Sequence, residues 1–138
     1  MRLWHPRLIP YLPKKQLISQ WRECIAIKRQ WEKDTLKHPL VAYVMNYDKR
    51  YFFDYVSKIT KEMTKRKINY NVDYYYEIFN FCLLHIAFFD FAILEDTYKE
   101  HNSRYLKQCL YNLQEKADRG ILTPEEYNII YDNFKEYL

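Results

Sequence analysis

Residues 14–33 carry two kinds of side chain that could do chemistry on an anionic substrate: a row of cations and a single carboxylate. Lys15, Arg22 and Arg29 are spaced seven apart, so on a helix they fall on one stripe, two turns from one another. Lys14 and Lys15 occupy the first turn of that helix, where the backbone dipole already presents positive charge. Cations there are mildly unfavourable until an anion arrives. A phosphate would be held by both the free backbone N–H groups and the side chains. The other reading is an ordinary solvated face. Glu23 follows Arg22 directly, and Gln16, Ser19, Gln20 and Glu23 sit at three- and four-residue spacing on neighbouring positions. By spacing alone Glu23 is a surface ion pair worth under about 1 kcal/mol.

The charge of the whole chain favours a polyanionic partner. Residues 1–33 hold eight Lys/Arg against two acids, residues 34–68 eight against four, and residues 69–138 six against twelve. A strongly basic first half joined to an acidic second half is polar, and its basic side suits a polyanion unless the halves neutralise each other. Lys58, Lys61 and Lys65 share a helix face that either extends a phosphate track or is solvated. Tyr74, Tyr75 and Tyr76 either stack on bases or pack within the protein. His85, among apolar neighbours, reads as a core histidine, and His38 and His101 read as loop or cap residues.

Composition removes several classes. The only glycine, Gly120, excludes a P-loop or dinucleotide-binding turn and argues against a hairpin-rich β fold. Cys24, Cys82 and Cys109 are far apart with no Cys-x-x-Cys pair, so they read as buried thiols rather than a zinc knuckle or a disulfide framework. No metal and no cofactor are expected. The N-terminus lacks the apolar stretch of a signal peptide. The apolar run 74–94 is interrupted by Glu77, Asn80, His85 and Asp90, which suits a buried helix rather than a membrane span of about 20 residues. A cytoplasmic location without membrane contact is the expectation.

The elements that must position these groups are helices. Pro6, Pro10 and Pro13 predict an extended N-terminal arm over residues 1–13, with Pro13 as the first residue of a helix reaching about Lys33. Leu17, Trp21, Cys24, Ile25 and Trp31 recur at helical spacing along it. Asp48 caps a second helix that turns Phe52, Tyr55, Val56, Ile59 and Met63 inward. Residues 73–96 predict a third helix and 102–118 a fourth, ending before Gly120. Thr123-Pro-Glu-Glu126 is a capping box that opens a last helix. The expectation is a single all-α domain, 1–138, of about five helices.

The run from Met1 to Cys24, with Leu17 after a polar residue, Trp21 and the Arg22-Glu23 pair, resembles the start of the bacterial branch of the pyrimidine-dimer DNA glycosylase (endonuclease V-like) family. The resemblance continues more weakly through Tyr47-Asp48-Lys49 to about Asn71, and over 101–113. It implies a compact helical protein that binds double-stranded DNA, bends it and displaces a base. Its chemistry is a glycosylase and abasic-site lyase reaction driven by the terminal α-amine. Such an amine ordinarily titrates near about 7.7–8.0, against about 10.4 for lysine. By the resemblance Glu23 shuttles protons beside that amine and Arg22 clamps a phosphate.

In the phage member of the family the amine belongs to a small second residue exposed by removal of the initiator Met, whereas here, as in the bacterial branch that this sequence resembles, position 2 is Arg. A bulky second residue protects Met1, so the amine is that of Met1, or of Arg2 if the chain is processed. One residue shifts it by up to about 3.8 Å. The catalytic set is therefore Met1, Arg2 and Glu23, and the DNA-binding set is Arg2, His5, Lys14, Lys15, Arg22 and Arg29. His5 either contacts phosphate or stands by neutral. Two other functions compete: a non-catalytic DNA-binding protein of the same fold, and a helical module whose acidic last helix docks on a partner.

Overall fold

The computed structural model describes residues 1–84 and 97–138. Among them are five α-helices, α1 (Lys14–Glu32), α2 (Lys49–Lys65), α3 (Val72–Leu83), α4 (Ser103–Asp118) and α5 (Pro124–Phe134), and no strand. The all-α expectation therefore holds. The third predicted helix is present as α3, and the rest of its span to residue 96, including His85, lies outside the described residues.

Local signals fixed most boundaries. The Asp48 carboxylate accepts the Arg50 N–H at the start of α2. Thr123 and Glu126 form the reciprocal capping box of α5. Pro13 stands one position earlier than expected. Its ψ of 152° keeps it outside the helix as the N-cap of α1, so Lys14 begins the helical run. Gly120, at φ 75°, closes α4 in the left-handed conformation. Asp34 (φ 58°) and Lys67 (φ 60°) close α1 and α2 in the same way without a glycine. At each of the three ends an N–H one residue on reaches back to a helix carbonyl: Thr35 to Gln30, Ile68 to Met63 and Ile121 to Lys116, all 2.8 Å.

The N-terminal arm differs from the expectation over its second half. Residues 1–5 are extended, but Pro6–Tyr11 wind into a 3-10 helix. Proline's fixed φ suits that helix as well as it suits an extended chain. His5 tips the balance, because its Nδ1 accepts the Arg7 N–H at 3.1 Å and caps the turn. Arg66 holds the other end, donating to the Leu12, Pro10 and Ile9 carbonyls at 2.6, 3.0 and 3.2 Å.

This arm lies between two apolar clusters. Leu3 and Ile9 join the cluster built by α1, α2 and α3, while Trp4, Leu8 and Leu12 join the one built by α4 and α5. Leu3, Leu8 and Leu12 are fully buried, and burying each stabilises the fold by about 1.5–3 kcal/mol. Arg7 adds a contact to the last helix, bonding the Tyr137 hydroxyl at 2.7 Å beneath the Phe134 ring. Phe52, Tyr55, Val56, Ile59 and Met63 all face inward from α2, as their spacing predicted, and the three cysteines are free and buried.

Candidate functional site

Packing the arm against the middle of α1 brings the chain's leading nitrogen and Glu23 into one neighbourhood. Glu23 is half-buried. Burial raises its pKa above the ordinary carboxylate range, opposed by the positive N-terminus, the Arg2 backbone N–H, the Gln20 side chain and His38. No cation forms an ion pair with Glu23 among the described residues. A carboxylate so placed is poised to exchange protons with a neighbouring amine, because its charged and neutral forms lie closer in free energy than on an open surface.

The register of the arm is set by buried polar side chains. The Gln20 carboxamide, fully buried on α1, donates to the Arg2 carbonyl and to Glu23 Oε2, both at 2.9 Å, and accepts the Trp4 N–H at 2.7 Å. The Tyr55 hydroxyl lies between Trp4 O (2.7 Å) and Gln20 Oε1 (2.8 Å), and the Tyr105 hydroxyl donates to the Leu3 carbonyl. Sequence reasoning placed Gln20 on the polar face, Tyr55 in the core and His38 in a loop, and gave none of them, nor Tyr105, a part in the site. Only the three-residue step from Gln20 to Glu23 was a usable signal.

The cations divide. Lys14, Lys15 and Arg22 are exposed and form no ion pair among the described residues. Arg29 is bound to both oxygens of Glu77, at 3.1 and 3.2 Å, and its guanidinium lies 5.0 Å from the Tyr74 ring centre. The half-buried Arg2 places its guanidinium 5.9 Å over Trp4. His5 is buried, and burial lowers its pKa, so it faces the interior rather than the cationic surface. Lys58 pairs with Asp54 at 3.0 Å. Of the three tyrosines, Tyr75 packs on Phe53 and Tyr70, while Tyr74 and Tyr76 are exposed.

His101 lies in the loop before α4, as expected, next to the Asn102 cap, but its side chain is turned inward. It lies buried against Tyr105, 5.4 Å between ring centres, with Nε2 2.6 Å from the Tyr43 hydroxyl. Burial pushes its pKa down to about 3. Open clefts of about 460 Å³, lined by Tyr47, Tyr51 and Tyr98, and about 490 Å³, lined by Lys28, Glu77 and Phe81, lie away from Glu23. Among the described residues no cluster of His, Cys, Asp and Glu could hold a metal ion, and no helix is long and apolar enough to cross a membrane.

A small all-helical protein with an isolated carboxylate beside the start of its chain and a cationic approach is the class defined by this geometry. Residues 1–76 match the family model of the pyrimidine dimer DNA glycosylases, and the chain belongs to that family. No curated protein and no solved structure matches it. The matched segment contains the arm, α1, α2 and the start of α3, and so every group placed around Glu23 except Tyr105.

Proposed function

We propose that the chain is a DNA-repair glycosylase with abasic-site lyase activity, acting through its N-terminal amine on duplex DNA that carries pyrimidine dimers. The observation that carries this reading is the half-buried Glu23 with the positive N-terminus and Arg2 as its neighbours, inside the segment shared with the family.

The amine of Met1, or of Arg2 in a processed chain, attacks C1′ of the damaged nucleotide. An N–C1′ bond forms and the glycosidic bond breaks, the base leaving with its electron pair and a proton. Opening of the sugar ring gives an iminium ion, which acidifies C2′. Loss of the C2′ proton then expels the 3′ phosphate with the C3′–O electrons. Glu23 takes the amine's proton, returns one on departure, and stabilises the cation between these steps.

Lys14, Lys15 and Arg22, free of ion pairs, track the phosphates of the strand. Arg29 joins them only by leaving Glu77. His5 serves by holding the arm rather than by touching DNA. The two clusters share the arm, which supports reading residues 1–138 as one working domain.

Borohydride trapping on duplexes bearing an abasic site or a thymine dimer tests this proposal. A covalent adduct is expected with a free N-terminus and its loss when that terminus is blocked. Chains starting at Met1 and at Arg2 are compared side by side. Absence of an adduct from both, with duplex binding intact, leaves a DNA-binding protein without the chemistry.

A further inference from the structure

We infer that Gln20 is a positioning residue that fixes the amine-bearing arm against Glu23, an assignment that rests on the reading above. Each polar atom of its carboxamide has two partners. Nε2 donates to Glu23 Oε2 and the Arg2 carbonyl, both at 2.9 Å. Oε1 accepts from the Trp4 N–H at 2.7 Å and lies 2.8 Å from the Tyr55 hydroxyl, whose single proton it shares with the Trp4 carbonyl at 2.7 Å. Both N–H donors and at least one lone pair of the oxygen are therefore used, in a side chain with no exposure to solvent.

The arrangement permits only one orientation. Turning the carboxamide over would set its NH₂ against the Trp4 N–H and its oxygen against the Arg2 carbonyl and Glu23, which is costly in a buried place. The Arg2 carbonyl and the Trp4 N–H stand on one edge of an extended segment, as they would facing a neighbouring strand. The Gln20 side chain thus substitutes for the peptide group of an absent strand. It sits one turn before Glu23 on α1, so the arm and the carboxylate are joined through a single rigid group. No other described side chain bonds both to the arm and to Glu23.

Two consequences separate this role from simple support of the fold. A slip of about 1 Å between amine and carboxylate is expected to cost about a hundredfold in rate. The Gln20 N–H also favours the ionised form of Glu23, so without it Glu23 titrates higher and the acid limb of the reaction moves to higher pH.

The test uses the full chain with Gln20→Met, which keeps the length and removes every hydrogen bond. Trapping on an abasic-site duplex is measured against pH, alongside thermal unfolding and the Glu23 carboxyl titration followed by NMR. Leu110→Ala, in the cluster built by α4 and α5, controls for loss of stability. The expected result is about hundredfold slower trapping for Gln20→Met, with its acid limb and the Glu23 titration both moved up and neither moved in Leu110→Ala.

If Gln20→Met does not fold, Tyr55→Phe and Gln20→Glu take its place. The first loosens the anchor with a smaller slowing and no pH change. The second sets two carboxylates together and raises the Glu23 titration. A folded variant that traps at the wild-type rate with an unmoved acid limb overturns the assignment. Should the wild type itself fail to trap, the catalytic reading falls, while the NMR titration still decides on Gln20: an unmoved Glu23 refutes it.

Discussion

Glu23, on the cation-rich α1, and Glu77 stand in opposite situations. Glu77, on α3, is gripped by Arg29 and by the buried Lys28, which itself bonds Glu32 at 3.1 Å, and the Arg29 guanidinium is the main cause holding its pKa down. Glu23 is without an ion pair among the described residues, and burial holds its pKa up. The first carboxylate is consumed in joining two helices. The second is kept from any such partner while sitting beside the start of the chain. Proximity to lysine and arginine in sequence therefore says little about which acid is available for chemistry. What decides is whether the tertiary fold brings a cation or a peptide N–H to it.

The largest expected effect breaks the comparison at Glu23. Glu23→Gln should lower trapping by about 10²–10⁴-fold, while Glu77→Gln should leave it near wild type. A second consequence has the opposite sign. The raised pKa of Glu23 means that its stabilising contribution is complete below the unfolded pKa and is lost as pH rises through the folded value. At neutral pH the ionised carboxylate therefore subtracts from stability, and Glu23→Gln should raise the thermal midpoint slightly. The gain should vanish below the ordinary carboxylate range. A fall at neutral pH would mean that the carboxylate is structural.

His101 extends the comparison to a buried base. Its pKa is pushed down to about 3 from 6.5, so it contributes stability that is present above about pH 6.5 and lost progressively as pH falls toward 3. Denaturant midpoints measured across that window should drop in the wild type and drop less in His101→Gln. Equal slopes would show that the histidine is hydrated.

Glu77→Gln sharpens the structural side. It leaves the buried Lys28 with Glu32 alone, and should cost up to about 1 kcal/mol in denaturant unfolding, since Glu77 is partly exposed. It also releases Arg29, so duplex binding should depend more steeply on salt, by up to about 0.9 in the log–log slope. An unchanged slope would place Arg29 away from the phosphate path.

The smallest effect lies away from both acids. Lys67→Gly relieves a left-handed residue at the end of α2, and should raise stability by about 0.5–1 kcal/mol without changing trapping.

Much of the helical frame was legible because its signals are local. Asp48, Thr123, Gly120 and the inward face of α2 each declare themselves within a few residues. The 3-10 turn of the arm was not, since proline permits both conformations and the choice is made by His5 and by Arg66, 54 to 57 residues further on. The ends of α1 and α2 lack the glycine that marks a left-handed cap, so Asp34 and Lys67 gave no warning.

At the site, Glu23 was found through its place in a family-like run. Gln20 and Tyr55 were missed because their partners, Arg2 and Trp4, are brought in by chain folding rather than spacing. The tie between Arg29 and Glu77 spans 48 residues, and was hidden for the same reason. His101 read as a loop or cap residue, which it is, but nothing in its own neighbourhood announces its burial against Tyr43, 58 residues away.

Mass mapping of the borohydride-reduced adduct on an abasic-site duplex bears most directly on the central claim. The account predicts that the reduced sugar remnant is carried on the α-nitrogen of the first residue, and that the Glu23→Gln protein yields almost none of it. A remnant found on Lys14, Lys15 or another lysine side chain, in amounts indifferent to Glu23, would contradict it.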